Sequence, residues 1–276
     1  MKPFTPDELR AKANQIRRRD LQAVFEAGAG HIGGEMSVTD ILTALYFNVL
    51  RVAPQNPLDP NRDRLVLSKG HTACVLYVTL AERGFIPKEE ITTFLQPMSR
   101  LNGHPNRTKV PGVETNTGPL GHGLPVAVGM AKAAKISGAD WKTYVVTGDG
   151  EMQEGSNWEA IMAAAQFGLD NLTLIIDHNR LQQGARLADT NNLAPIAPRL
   201  EAFGWEAVEI DGHNMDEILA ALSHEGRTPG KPRGIVAHTN KGHGISFMSD
   251  NVAWHHKVPN AEQYAQAMAE LEEAAQ

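Results

Sequence analysis

Five short apolar runs recur along the chain: Arg64 to Ser68, Thr143 to Asp149, Leu172 to Asn179, Trp205 to Ile210 and Gly234 to Thr239. Their apolarity is continuous and rich in β-branched residues, the pattern of strands buried on both faces. Helical periodicity fills the intervals, over Thr5 to Ala27, Val38 to Leu50, His71 to Arg83, Leu124 to Ser137, Asn157 to Phe167, Asn214 to Ser223 and Ala261 to Ala275. Ser37 is expected to cap the second helix, with Asp40 in its first turn. Strands alternating with helices predict an α/β fold, a parallel sheet flanked by helices on both faces and joined by right-handed crossovers. At 276 residues the chain suits a single domain, 1–276, with the last helix, over about 260–276, free to serve as an interface appendage.

Charge and composition remove several function classes. A formal charge of -6 argues against nucleic-acid binding, which wants clustered Lys and Arg on phosphates. The one basic run, Arg17-Arg18-Arg19, opposes an apolar stripe of Ile16, Leu21, Val24 and Phe25, so a solvated face or an intersubunit contact is expected for it. No apolar run approaches the roughly 18 residues of a membrane span. Met1 to Arg10 shows no secretory or transit pattern, which makes the cytoplasm the expected compartment. Cys74 is the lone cysteine, which excludes an internal disulfide and a cysteine-rich zinc site and predicts a buried thiol. No His-Glu-x-x-His pair supports a zinc hydrolase.

The chemistry concentrates at strand ends. Thr147-Gly148-Asp149-Gly150-Glu151 closes the second strand ahead of a helix, where main-chain N–H groups and the helix dipole favour an anion. A lone Gly-Asp-Gly is also an ordinary turn. The third strand, however, ends at His178-Asn179-Arg180-Leu181, which places Asn179 at the same sheet edge as Asp149. A carboxylate beside an amide oxygen suits a hard divalent cation that takes its remaining ligands from a diphosphate.

Histidines follow glycines at His31, His71, His104, His122, His213 and His243, a placement that presents imidazoles on sharp turns. They belong to the strings Gly30-His31-Ile32-Gly33-Gly34, Ser68-Lys69-Gly70-His71, Gly103-His104-Pro105 and Thr117-Gly118-Pro119-Leu120-Gly121-His122-Gly123. With Trp254-His255-His256 and the run from Gly148 to Gly155, these strings resemble the transketolase family over essentially the whole chain. The resemblance implies a thiamine-diphosphate-binding fold, specifically its diphosphate-binding module, and transfer of a two-carbon ketol unit between sugars. It implies thiamine diphosphate with Mg2+, for which Ca2+ or Mn2+ can substitute. Asp149 and Asn179 would supply side-chain metal ligands and Leu181 a main-chain carbonyl. His71, Gly118, Pro119, Leu120, Gly121, Asp149, Gly150, Glu151 and Asn179 would contact the cofactor, with His122 a diphosphate-side neighbour. His31, His71, His104 and His255 would be the catalytic histidines, with His256 an alternative to His255. Glu154 and Glu159 resemble acids near paired cofactor sites, as a proton relay or as interface groups.

His213 is expected to serve turn formation ahead of a helix capped by Asn214, and His243 to lie on a loop able to close over the site. The family's second, pyrimidine-binding domain has no counterpart here, so the resemblance implies a C-terminal transketolase-type partner chain, in a heterotetramer, before sugar substrates can react. Arg180, Gln182 and Gln183 stand where full-length relatives carry small or hydroxyl-bearing residues. Two further enzyme readings share Gly-Asp-Gly and Asn: deoxyxylulose-phosphate-synthase-like and 2-oxo-acid-dehydrogenase-like thiamine-diphosphate subunits. Outside the enzymes, the reading is a non-catalytic cofactor-binding partner.

Overall fold

A computed structural model describes residues 3–274. Strands β1 (Arg64–Leu67), β2 (Thr143–Gly148), β3 (Leu172–His178), β4 (Glu206–Asp211) and β5 (Arg233–His238) form one sheet in the order β1-β2-β3-β5-β4, with every neighbouring pair parallel. Successive side chains face opposite sides of a strand, and the sheet separates two apolar cores accordingly. Leu65, Leu67, Tyr144, Val146, Ile175 and Ile235 enter one, and Val66, Val145, Leu174, Ile176 and Val236 the other. Helices α1 (Pro6–Ala27), α2 (Ile32–Ala44), α3 (Ala73–Arg83) and α7 (Met215–Leu222) cover the first face; α4 (Gly123–Ser137), α5 (Gly155–Gln166) and α6 (Ala197–Ala202) cover the second. The α/β reading, a parallel sheet with helices on both faces, is therefore correct.

Helix α1 starts where the sequence predicts, because Thr5 and Glu8 close a capping box. Helix α8 (Ala261–Glu273) begins the same way with Asn260 and Gln263. It packs on α1 through Tyr264, whose ring stacks on Phe25 at 4.3 Å, and through buried Leu271. Ala275, its expected end, lies outside the described residues. Among the described residues no helix is long and apolar enough to cross a membrane.

Three expectations need correction. Helix α2 begins at Ile32, with His31 at its N-cap, and after Ala44 it passes into a π-helical turn over Leu45–Val49. Gly33 and Gly34 look like a turn in sequence, yet Gly33 is there for proximity: a Cβ on it would stand 2.5 Å from the Trp254 carbonyl oxygen. Ser37 is thus inside the helix and caps nothing. Its hydroxyl donates to Gly34 O at 3.1 Å and to Asp177 Oδ2 at 2.7 Å. Arg17 is not on a solvated face. It is 5% exposed and paired with Asp40 of α2. Arg18 and Arg19 reach Glu272 and Glu82 at 4.0 and 3.0 Å. Helix α6 was not foreseen, since its six residues are too few to display a period. Cys74 is buried, as expected.

Candidate active site

The β2–β3 register pairs Gly148 with Asp177, so Asp149 and Asn179 leave the sheet side by side. The Asp149 carboxylate accepts the Gly150 amide at 2.8 Å on one oxygen; on the other it accepts His178 Nδ1 at 3.0 Å and the Arg180 amide. Arg180 has φ +67°, a left-handed turn that folds the chain back toward Asp149. Asn179 Oδ1 accepts the Leu181 amide at 3.2 Å. Asp149, Asn179 and Leu181 line one cavity of about 450 Å³ together with His31, His71 and His255.

The opposite wall is the loop before α4. Gly118 has φ +146° and Gly121 φ +81°. A Cβ on Gly118 would lie 2.9 Å from the His104 ring, and one on Gly121 would lie 2.6 Å from Glu154 Cβ, so both positions require glycine. Gly118 and Leu120 face the cavity, whereas Pro119 and Gly121 shape the loop behind them. The Glu151 carboxylate is engaged in holding this loop. It accepts the Gly121 amide at 3.0 Å, the Gly148 amide at 3.1 Å and the Ser68 hydroxyl. Burial pushes this carboxyl up from its ordinary value. Glu151 therefore borders the cavity as scaffold, with its oxygens taken.

The imidazoles gather at the cavity mouth. The His31 ring stands 5.0 Å from His71, 5.6 Å from His255 and 4.6 Å from His256. His104 is exposed beside Gly118, outside this group. Between His255 and His256, the former lines the cavity and meets Lys241 Nζ at 2.7 Å through Nδ1. Burial, then neighbouring His256, His104 and Lys241, lowers His31 to about 4. Burial and Lys69 take His71 down to about 2, and burial and Lys241 take His255 to about 3. These three rings are neutral at physiological pH. Because an ammonium only donates, Lys241 leaves His255 with its proton on Nε2.

Three further residues at the cavity are not singled out by the sequence. Lys69 and Asp177 form a buried ion pair beneath the cavity, and Lys69 also donates to Gly34 O at 3.1 Å. Lys241, 2% exposed, donates to Leu181 O at 2.9 Å. Burial, then the charge of Lys69, brings it down to about 8. The available signal was the lysine inside Ser-Lys-Gly-His and Lys-Gly-His-Gly, strings noticed for their histidines. In the second of these, His243 does not close over the site. It is stacked on His213 at 3.5 Å, on the far side of the loop. His213 does more than shape a turn, since its Nδ1 lies 2.7 Å from Asp40 Oδ2, while Asn214 caps α7 as expected. His122 faces outward, with Nδ1 3.1 Å from Leu120 O. Glu154 borders the cavity at the start of α5, and Glu159 is exposed one turn further along. Gln182 and Gln183 line the cavity rim, and Arg180 is exposed.

The donor set fits a hard cation: one carboxylate, one amide oxygen and one main-chain carbonyl, beside a glycine-shaped wall that admits a diphosphate. The buried Lys241 ammonium adds positive charge that suits the same anion, whereas the charge of Lys69 is balanced by Asp177.

A family profile described as "Transketolase, thiamine diphosphate binding domain" matches residues 9–272. An apulose-4-phosphate transketolase subunit of Phocaeicola vulgatus is 48% identical over 267 residues, which are 97% of this chain and 95% of that protein. The 6-deoxy-6-sulfo-D-fructose transketolase subunit SqwG of a Clostridium species is 40% identical, with 96% of each chain covered. The transketolase of Homo sapiens is 40% identical over 90% of this chain but only 40% of its own length. Among solved structures, the transketolase from Campylobacter jejuni superposes with a TM-score of 0.90 at 34% identity, covering 96% of this chain and 42% of that one. The present chain thus spans about two fifths of the solved transketolases and nearly all of the subunit-type relatives.

Proposed function

Because this chain belongs to the transketolase family, matching its thiamine-diphosphate-binding domain over residues 9–272, we propose that it is the cofactor-holding subunit of a two-chain transketolase. In this reading it moves a two-carbon ketol unit from a ketose to an aldose. The observation that carries the proposal is the convergence of Asp149, Asn179 and the Leu181 main chain with His31, His71 and His255 around one cavity.

Asp149, Asn179 and the Leu181 carbonyl would hold Mg2+, with Ca2+ or Mn2+ able to serve in its place. Gly118, Leu120 and Lys241 would line the diphosphate, and Gly150 gives close approach at the Asp149 turn. Bound thiamine diphosphate supplies an electron-poor thiazolium that stabilises carbanion-like charge on the donor sugar. The chain's own part is proton handling. Neutral His31 and His71 have lone pairs able to accept hydroxyl protons, and His255 presents an Nε2–H donor. His104, exposed beside Gly118, would contact a sugar rather than the diphosphate.

The remaining wall comes from a second chain, a C-terminal transketolase-type subunit with the pyrimidine-binding domain. Two features support an intersubunit surface on α4 and α5. Val126, Ile136 and Met162 are 41%, 76% and 57% exposed, and Glu154 and Glu159 stand among them as interface or relay acids. We propose a heterotetramer built on this face. Relatives named for a sugar 4-phosphate and a 6-sulfo sugar support a ketose with a terminal anionic group as donor.

Mixing the purified chain with its pyrimidine-domain partner, thiamine diphosphate and Mg2+ should give ketol transfer from apulose 4-phosphate or another ketose phosphate. Full turnover by this chain alone, or turnover of pyruvate in place of ketose phosphates, would refute the reading.

A further inference from the structure

The loop after β5 delivers Lys241 to the cavity, and its anchor lies behind it, in the helical layer. Asp40 is almost wholly buried on α2, and Arg17 of α1 donates to both its oxygens, at 3.1 Å on Oδ1. Burial alone would raise Asp40; the Arg17 charge and the His213 hydrogen bond outweigh it and hold the carboxyl well below the usual range. Asp40 is therefore an acceptor only, and His213 Nδ1, 2.7 Å away, must carry the proton. The opposite nitrogen is then a bare lone pair, and the Asn240 amide donates to it at 2.9 Å. His243 stacks over the ring and shields it; burial, with Arg17 and His213, takes His243 itself down to about 3.

We propose that His213, oriented by Asp40, is a positioning residue that fixes the main chain at Asn240 so that Lys241 is aimed at Leu181 O and His255. The loop is also tied by main-chain contacts, Gly242 N to Gly33 O and Asp250 N to Lys241 O, each at 2.9 Å, and by the Asn240 side chain, which donates to Ser249 Oγ at 2.7 Å and accepts the Asp250 amide at 2.9 Å. What His213 adds is a side-chain acceptor for the Asn240 main-chain amide, immediately before the lysine. Asp40, His213 and His243 do bring ligand atoms within 4.8 Å of one another. In this structure Arg17 holds that carboxylate and hydrogen bonds engage both His213 nitrogens. The proposal rests on the reading of Lys241 as a cofactor-side residue.

The two amide replacements separate the ends of the ring. Asparagine keeps a donor near Nδ1 for Asp40, and glutamine puts an acceptor near Nε2 for Asn240. In hydrogen exchange on the free chain, His213→Asn should lose protection at the Asn240 amide by about tenfold, the worth of one hydrogen bond, with His213→Gln close to the unsubstituted protein. In the reconstituted enzyme His213→Asn should raise the Kd for thiamine diphosphate about tenfold and leave kcat less affected, while His213→Gln restores both. Thermal midpoints of the two variants should be alike, which separates positioning from folding. Equal Asn240 exchange in the two variants overturns the proposal. If the unsubstituted chain binds no thiamine diphosphate, the cofactor reading fails, and the exchange contrast still decides whether His213 anchors the loop.

Discussion

Lys241 donates to the main-chain carbonyl of Leu181 at 2.9 Å, the oxygen proposed as a metal ligand. An ammonium on that oxygen repels a bare cation and attracts a diphosphate, so metal and cofactor should bind as one unit. Millimolar Mg2+ alone should shift the thermal midpoint by less than about 1 °C. Thiamine diphosphate at 100 times its dissociation constant, with Mg2+, should add about 2.7 kcal/mol. A full shift from Mg2+ alone, read by calorimetry, would contradict this coupling.

Glycine at position 121 is demanded twice, by its positive φ and by the contact a Cβ would make with Glu154. Gly121→Ala should displace the loop and weaken thiamine diphosphate binding about tenfold or more, visible by titration calorimetry. Gly129, whose Cβ would meet nothing within 4 Å, is the control: Gly129→Ala should leave binding unchanged and stabilise α4 by up to about 1 kcal/mol.

Burial makes the Asp40 and Arg17 pair asymmetric in its response to mutation. Arg17→Met removes the cation and leaves a buried carboxylate, a loss of about 3–5 kcal/mol, whereas Asp40→Asn with Arg17→Met together should recover a large part of it. Urea unfolding of the two single variants and the double variant checks this.

Asp20 and Glu35 occupy the space beneath the starts of α2 and α3 with no exposed surface, Asp20 beside the Cys74 thiol and Glu35 beside the Cys74 and His31 main chain. Burial raises Asp20 from 3.8 to about 7, and burial together with Asp20 raises Glu35. A carboxyl whose folded value is raised contributes stability at low pH that is lost as pH climbs from about 4 through about 7. Asp20→Asn should therefore be nearly neutral at pH 4 and stabilising by a few kcal/mol at pH 8, as followed by thermal melts. Destabilisation at pH 8 would show that the Cys74 thiol and the Arg17 charge outweigh the burial of the carboxylate.

His71 titrates in the opposite sense. Its folded value lies near 2, below the ordinary 6.5, so the unfolded chain takes up the proton first and stability falls as pH drops below about 6.5. Relative to His71→Gln, the unsubstituted protein should lose about 2 kcal/mol between pH 7 and pH 5. Parallel melts of the two proteins over this range would count against a neutral, buried imidazole.

Most of the sheet was readable because β1, β2, β3 and β5 are largely buried on both faces and so advertise themselves as apolar runs, whereas the edge strand β4 is only partly buried and carries Glu206 and Glu209. Asp149 and Asn179 were readable for a related reason, since strand ends in a parallel sheet face one edge. What stayed hidden depends on contacts remote in sequence. Gly33 looks like a turn until Trp254 is seen against it, Arg17 looks solvent-facing until Asp40 meets it, and Lys241 looks like a loop lysine until its neighbours bury it. No local period encodes such pairs.

The pairing of Gly148 with Asp177 has a consequence for cofactor binding. A slip of one residue between β2 and β3 would carry Asp149 past Asn179 by roughly 3.3 Å and turn every side chain of the slipped strand to the other face. Such a molecule could retain its helices, yet it could not assemble the donor set. Cofactor binding at this site would therefore depend on the register of β2 against β3.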